Sequence, residues 1–233
     1  MKTKKAMRKT VFVLLLLTLS ISTVLLAYLY FASPEDKKLS GEWTAKVDIS
    51  EQAAAVAFSW LQEIEAVTVS LDDLQASMQG LNVQVDLTLE QTTRSEGTFK
   101  GMVLPESYDA CEQAAYEAFA GAFRKLVARR LQLAGYTGST EEDAVEALIQ
   151  ETFGMTSVEY LMACGPALLP SREELQARYG GSGTYEIGEG ILVREYDTGD
   201  PVSARSERCI RQGADLVLAG EDGFVMRYTL RKR

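Results

Sequence analysis

The sequence predicts an α+β protein: a single N-terminal transmembrane helix, then an antiparallel β-barrel or strongly curved sheet of about six to eight strands, interrupted by a helical insertion. Three observations predict it. Residues 11–31 are an unbroken apolar run without charge. Residues 41–49, 81–104, 183–196 and 215–230 carry alternating apolar and polar side chains or hairpin signals, the marks of half-buried strands. Residues 105–180 switch to a spacing of three and four, the period of an amphipathic helix.

The apolar run has 21 residues. At about 1.5 Å per residue it reaches roughly 32 Å, enough for a bilayer core of about 30 Å. Lys2, Lys4, Lys5, Arg8 and Lys9 precede it. Positive charge stays on the cytoplasmic side, so residues 1–10 are expected inside and the remainder outside a cell membrane. Tyr28, Tyr30 and Phe31 fit an interfacial aromatic belt at the far end. A cleaved signal peptide is the competing reading. Its apolar region would be only about 7–15 residues, and Tyr30 stands where a cleavage site wants a small side chain. The expectation is therefore an uncleaved signal anchor at 11–31, a polar stalk at 32–40, and an extracytoplasmic β-domain at 41–233.

Residues 41–49 alternate Trp43, Ala45, Val47 and Ile49 with Glu42, Thr44, Lys46 and Asp48, a strand. Ser50 is placed to cap a helix over 51–65. Residues 67–71 suit a short strand. Residues 71–79 suit a short helix, with Ser70 as cap and Gly80 as stop. Residues 81–90 alternate most clearly, and 98–104 return as a hairpin partner after a polar turn.

Within the insertion, residues 108–134 place Cys111, Ala115, Phe119, Phe123 and Leu126 on one face, with Gly135 at the end. Thr140 with Asp143 opens a helix running to about 153. Thr156 with Glu159 and Ser171 with Glu174 read as capping boxes for two more. Strands resume at 183–187 and 191–196, and at 215–219 and 224–230, around glycine-containing turns. Residues 197–212 read as a polar loop.

Gly41-Glu42-Trp43 opens the first strand and Arg231 closes the last. This resembles the lipocalin or wider calycin pattern, in which a Gly-X-Trp packs beneath a basic residue from the barrel's end. The resemblance implies a closed barrel whose interior takes a small apolar ligand, with Trp43 and Arg231 in structural roles. The helical block departs from that family's pattern.

The chain contains no histidine. That excludes Ser-His-Asp and Cys-His chemistry and removes the commonest transition-metal ligand. No metal site and no cofactor are expected. Asp197 to Asp200 lack the ligand count of a calcium loop and read as a turn. Residues 180–183 lack the Gly-Lys-Ser/Thr ending of a phosphate loop. Beyond residue 32 the chain has 19 basic against 33 acidic residues, a net of −14, which argues against nucleic acid as a partner.

Three cysteines allow three pairings; a disulfide between Cys111 and Cys164 would pin the helical block and leave Cys209 over. Arg124, Lys125, Arg129 and Arg130 cluster on one helix, either a charged face near its C-terminus or a docking site for an anionic partner. The expected role is a membrane-anchored extracytoplasmic binding or accessory module for a small apolar ligand or an envelope protein. The alternatives are a docking subunit or scaffold of an envelope complex and a carboxylate-based envelope hydrolase.

Overall fold

Eight strands close on themselves in sequence order. They are β1 (Gly41–Asp48), β2 (Asn82–Gln91), β3 (Glu96–Val103), β4 (Gly181–Gly188), β5 (Ile191–Tyr196), β6 (Ala204–Gln212), β7 (Asp215–Gly220) and β8 (Val225–Leu230). Every neighbouring pair is antiparallel, and β1 completes the ring against β8 through Trp43↔Leu230 and Ala45↔Tyr228. The structure, a computed structural model, describes residues 38–63, 70–197 and 204–231. The segments expected to be cytoplasmic (1–10) and an anchor (11–31), and most of the expected stalk, lie outside these. Among the described residues no helix is long and apolar enough to cross a membrane.

Closure follows from the two-residue period. On β2, Val83, Val85, Leu87 and Leu89 are buried and alternate with more exposed polar neighbours. Repeated round the ring, this sends one face of every strand inward and leaves no unpaired sheet edge. The inward side chains are packed against one another. Val85, Leu87, Leu192, Leu216 and Leu218 are 0–1% exposed, and Tyr185 and Tyr228 are 2% exposed. Their near-complete burial makes the described barrel interior a packed core. Gly97 shows how tight it is. A Cβ there would lie 2.6 Å from the Tyr185 ring, which folds across the glycine from β4.

In an up-and-down barrel successive connections fall at alternate ends. The short turns β2–β3, β4–β5 and β6–β7 therefore share one end. The opposite rim receives the other connections: α1 (Ser50–Gln62) and α2 (Leu71–Ser77) after β1, and α3 (Pro105–Leu133), α4 (Glu142–Phe153), α5 (Ser157–Cys164) and α6 (Arg172–Tyr179) after β3. The helical insertion thus occupies the expected segment. Its apolar face joins the barrel core in one buried cluster. Trp60 of α1 meets Phe119 edge-on at 5.6 Å, and Phe123 stacks on Tyr160 at 5.9 Å. The aromatic stripe of α3 is therefore packing.

The capping boxes at Thr156/Glu159 and Ser171/Glu174 form, as does the Ser70 cap. Gly154 ends α4 at φ +72°, a conformation glycine adopts without strain. Two expected caps do not form. Ser50 lies inside α1 and its Oγ accepts from the Leu81 amide. The Thr140 hydroxyl accepts from Gln132 Nε2, and α4 starts from Glu141 without a side-chain cap.

The main correction concerns residues 197–212. Most of that stretch is β6, a full member of the ring paired with β5 and β7. Its inward positions include Glu207 and Cys209, so the apolar alternation that marks other strands is missing. The suggested strand at 67–71 falls largely outside the described residues.

Candidate functional site: the helical rim

Where the helices fold back over the barrel end, they do not seal it. A groove of about 800 Å³ opens between the end of β1, the start of β8, α1, α6 and the chain at 167–170. Apolar side chains line most of it, among them Val47, Ile49, Val56, Leu168, Tyr179 and Met226. Lys46, Asp48, Glu174 and Arg178 supply charge of both signs. The local sequence explains the shape. The Ser171/Glu174 box starts α6 abruptly after Pro170, and Gly180 ends it after two turns, so α6 covers only part of the rim.

A smaller hollow of about 200 Å³ continues round the rim, sharing Arg178, Tyr179 and Phe224 and adding Arg205, Glu207 and Asp222. The Arg178 guanidinium lies 5.4 Å from the centres of both the Tyr179 and Phe224 rings. Arg205 Nη1 donates to the Arg178 carbonyl at 3.0 Å.

Below this hollow sits a buried ion pair. Arg194 of β5 donates from Nε and Nη2 to the two oxygens of Glu207 on β6, at 2.8 and 2.7 Å. Both residues are buried. The Arg194 guanidinium also lies 5.3 Å from the Phe99 ring centre and 5.7 Å from that of Tyr196. A fork-to-fork pair is the geometry in which a buried charge pair recovers most of its lost hydration. Two polar atoms nearby are left over: Arg194 Nη1 and Tyr185 Oη, both buried without a hydrogen-bond partner. Burial pushes the Tyr185 hydroxyl up to about 12, with the neighbouring Cys209 adding to the rise. Burial also pushes Cys209 up to about 11, with Glu207 adding, so its thiol is a poor nucleophile.

The residues singled out by sequence are scattered. Trp43 is at the opposite end, buried, with Nε1 donating to the Leu39 carbonyl at 2.9 Å. The guanidinium over its ring belongs to Arg211, at 5.3 Å, and not to Arg231. Arg231 is exposed and reaches Asp86 at 3.4 Å, beyond good hydrogen-bond length. Arg231 stays paired to β1, its N–H donating to the Glu42 carbonyl at 2.8 Å, and by strand alternation its side chain falls on the outer face with Thr229, away from the Trp43 ring.

Cys111 and Cys164 are not bonded: all three cysteines are free, Cys111 and Cys209 buried and Cys164 exposed. Cys111 faces the core from α3, whereas Cys164 ends α5 facing solvent. Burial pushes the Cys111 thiol up to about 11. Arg124 is engaged within the helical block, with Nη2 2.7 Å from Glu142, and Nη1 3.2 Å from Glu146 and donating to Ser157 Oγ at 2.7 Å. It ties α3 to α4 and α5. Lys125, Arg129 and Arg130 are exposed. Among the described residues no group of three or more His, Cys, Asp or Glu side chains could hold a metal ion.

Sequence reasoning missed Arg178, Arg194, Arg205 and Glu207. The available signal was register: once residues 204–212 are set as a strand, Arg205 and Glu207 share the inward face with Cys209.

No protein family and no curated protein matches the chain. The chain is similar to the crystal structure of a point mutant of the fluorescent protein UnaG, at 12% identity and a TM-score of 0.27. The similarity covers 84% of this chain and 96% of that one. At that score it carries no argument about ligand or role.

Proposed function

We propose that this protein is a binding module, tethered to the outer face of a cell membrane by residues 11–31, which takes a small, largely apolar ligand in the rim groove. One observation carries the reading. The described inward side chains of the barrel are buried against one another, while the groove at its helical rim has about 800 Å³ lined by apolar and charged side chains. That volume is in the range of small-molecule sites, about 300–1,000 Å³. The ligand's apolar body lies against Val56, Leu168 and Met226, and its polar end meets Lys46 or Arg178. This moves the ligand from the barrel interior, where the calycin resemblance would put it, to the rim.

The test is native mass spectrometry of the full chain, taken gently from its host in mild detergent. An added mass that leaves on denaturation is expected. Val56→Glu puts a charge on the groove wall at a half-buried α1 position, and it is expected to lose that mass while keeping its fold. A parent chain that flies bare, or a Val56→Glu chain that still carries the mass, counts against the rim groove.

A further inference from the structure

The small hollow beside the rim groove is lined by charges of both signs that do not meet. Arg178 of α6 and Arg205 of β6 supply the positive ones, and Glu221 and Asp222 of the β7–β8 turn the negative ones. Glu207 also lines the hollow, but its charge is matched by Arg194. Among the described residues, none of Arg178, Arg205, Glu221 and Asp222 forms an ion pair.

Three of these groups are held by something other than an opposite charge. The Arg178 guanidinium is seated 5.4 Å from the ring centres of both Tyr179 and Phe224, a favourable cation–π contact. Arg205 is tied through Nη1 to the Arg178 carbonyl at 3.0 Å and lies 6.0 Å from the Tyr196 ring centre. Asp222 Oδ1 accepts from the Phe224 amide at 3.0 Å. That carboxylate folds back over Gly220, where a Cβ would lie 2.7 Å from Oδ1, so only glycine leaves room for it. Opposite charges in a hollow of about 200 Å³ normally pair for a modest gain. Here the ring seat and the turn keep them apart.

Positive and negative groups held in one hollow are complementary to a molecule that carries both charges. A simple anion would meet the two acids, and a simple cation the two arginines. The hollow shares Arg178, Tyr179 and Phe224 with the rim groove, so its occupant continues into apolar surroundings. The groove, at about 800 Å³, is larger than any amino-acid side chain and suits a hydrocarbon chain.

We infer that the hollow takes the zwitterionic head of a lipid, with its acid group at Arg178 and Arg205, its ammonium at Asp222 and Glu221, and its chain in the rim groove. The inference rests on the rim groove as the binding site and names the class of ligand that site takes.

Competition in one native mass spectrum tests it. The full chain in mild detergent is offered equal amounts of lauroyl lysophosphatidylethanolamine, lauroyl lysophosphatidylglycerol and dodecylamine, which present similar chains under zwitterionic, anionic and cationic heads. The zwitterion is expected to be held about tenfold over either rival, the worth of one charge-assisted hydrogen bond. Asp222→Asn keeps the acceptor for the Phe224 amide and is expected to abolish the preference over the anionic lipid alone. Arg205→Gln is expected to abolish the preference over the amine alone. Equal retention of all three heads, unchanged in both variants, would overturn the inference and leave the groove reading standing. A parent chain that prefers the anionic lipid would overturn it as well. Retention of none of the three would sink the groove reading. The hollow is then tested with glycerophosphoethanolamine, which has the head and no chain, by the amide NMR shifts of Ser206 and Gly220. Shifts that vanish in Asp222→Asn would uphold the head site, and unmoved amides in the parent would overturn it.

Discussion

The two ends of the barrel are made by the same eight strands and are built to opposite purposes. At one end short turns bring the strands back directly, and Trp43 fills the opening beneath Arg211 with its indole N–H held by Leu39. At the other end two of the four connections have grown into helices: two after β1 and four after β3. There the rim stays open, and a charged pair lies below it. The lesson is one of parity. Successive connections of a meander alternate between ends, so an insertion after β1 and another after β3 must meet on one rim. That rim then carries the inserted helices and the groove, while the other end holds the ring shut.

The comparison can be broken first at the shut end. Trp43→Ala is expected to cost about 3–5 kcal/mol, the usual range for emptying a buried aromatic site, measured by guanidinium unfolding. A loss below about 1 kcal/mol would mean that the indole does not plug the barrel.

The ion pair under the open end comes next. Glu207→Leu leaves Arg194 charged, buried and unpaired, and is expected to cost about 3 kcal/mol or more. Arg194→Met added to Glu207→Leu should restore most of that, because two apolar groups replace the pair without leaving an orphan. A double variant no better than the single would mean that the pair organises β5 and β6 beyond its own charges.

The smallest effects come from the leftover hydroxyl. Tyr185 Oη has no partner, so Tyr185→Phe should be neutral or slightly stabilising near pH 7, within about 1 kcal/mol. Its pH dependence is sharper. Tyr185 and Tyr228 both rise from 10.0 to about 12 in the fold, chiefly by burial. The folded state therefore holds these protons more tightly than the unfolded chain. Their contribution is complete below pH 10 and is lost as the pH climbs to 12. Cys209 adds the same loss between 9 and about 11. Denaturation midpoints should fall across pH 9–12, and less steeply in Tyr185→Phe. Equal slopes would place that hydroxyl in contact with water.

What could be read ahead follows from how local each feature is. The Leu81 to Glu90 alternation marks β2 because an apolar interior needs no knowledge of the partner strand. The boxes at Thr156/Glu159 and Ser171/Glu174 could be read because both partners of each cap lie within one helical turn. The helical insertion at 105–180 was legible for the same reason. β6 was not, since an inward Glu207 is tolerable only when Arg194, 13 residues earlier, is already in place on β5. Arg211 over Trp43 likewise joins residues remote in sequence, and sequence order alone pointed to Arg231.

By itself, then, the sequence determined the α+β class, the helical insertion and its caps, the apolar faces and the acidic balance, all set by composition or by spacing within a few residues. Only the tertiary structure decided that the sheet closes, that its inward side chains pack against one another, and that a groove opens at the helical rim. Those depend on cross-strand register, which pairs residues far apart in the chain and turns each side chain in or out only once the ring is complete.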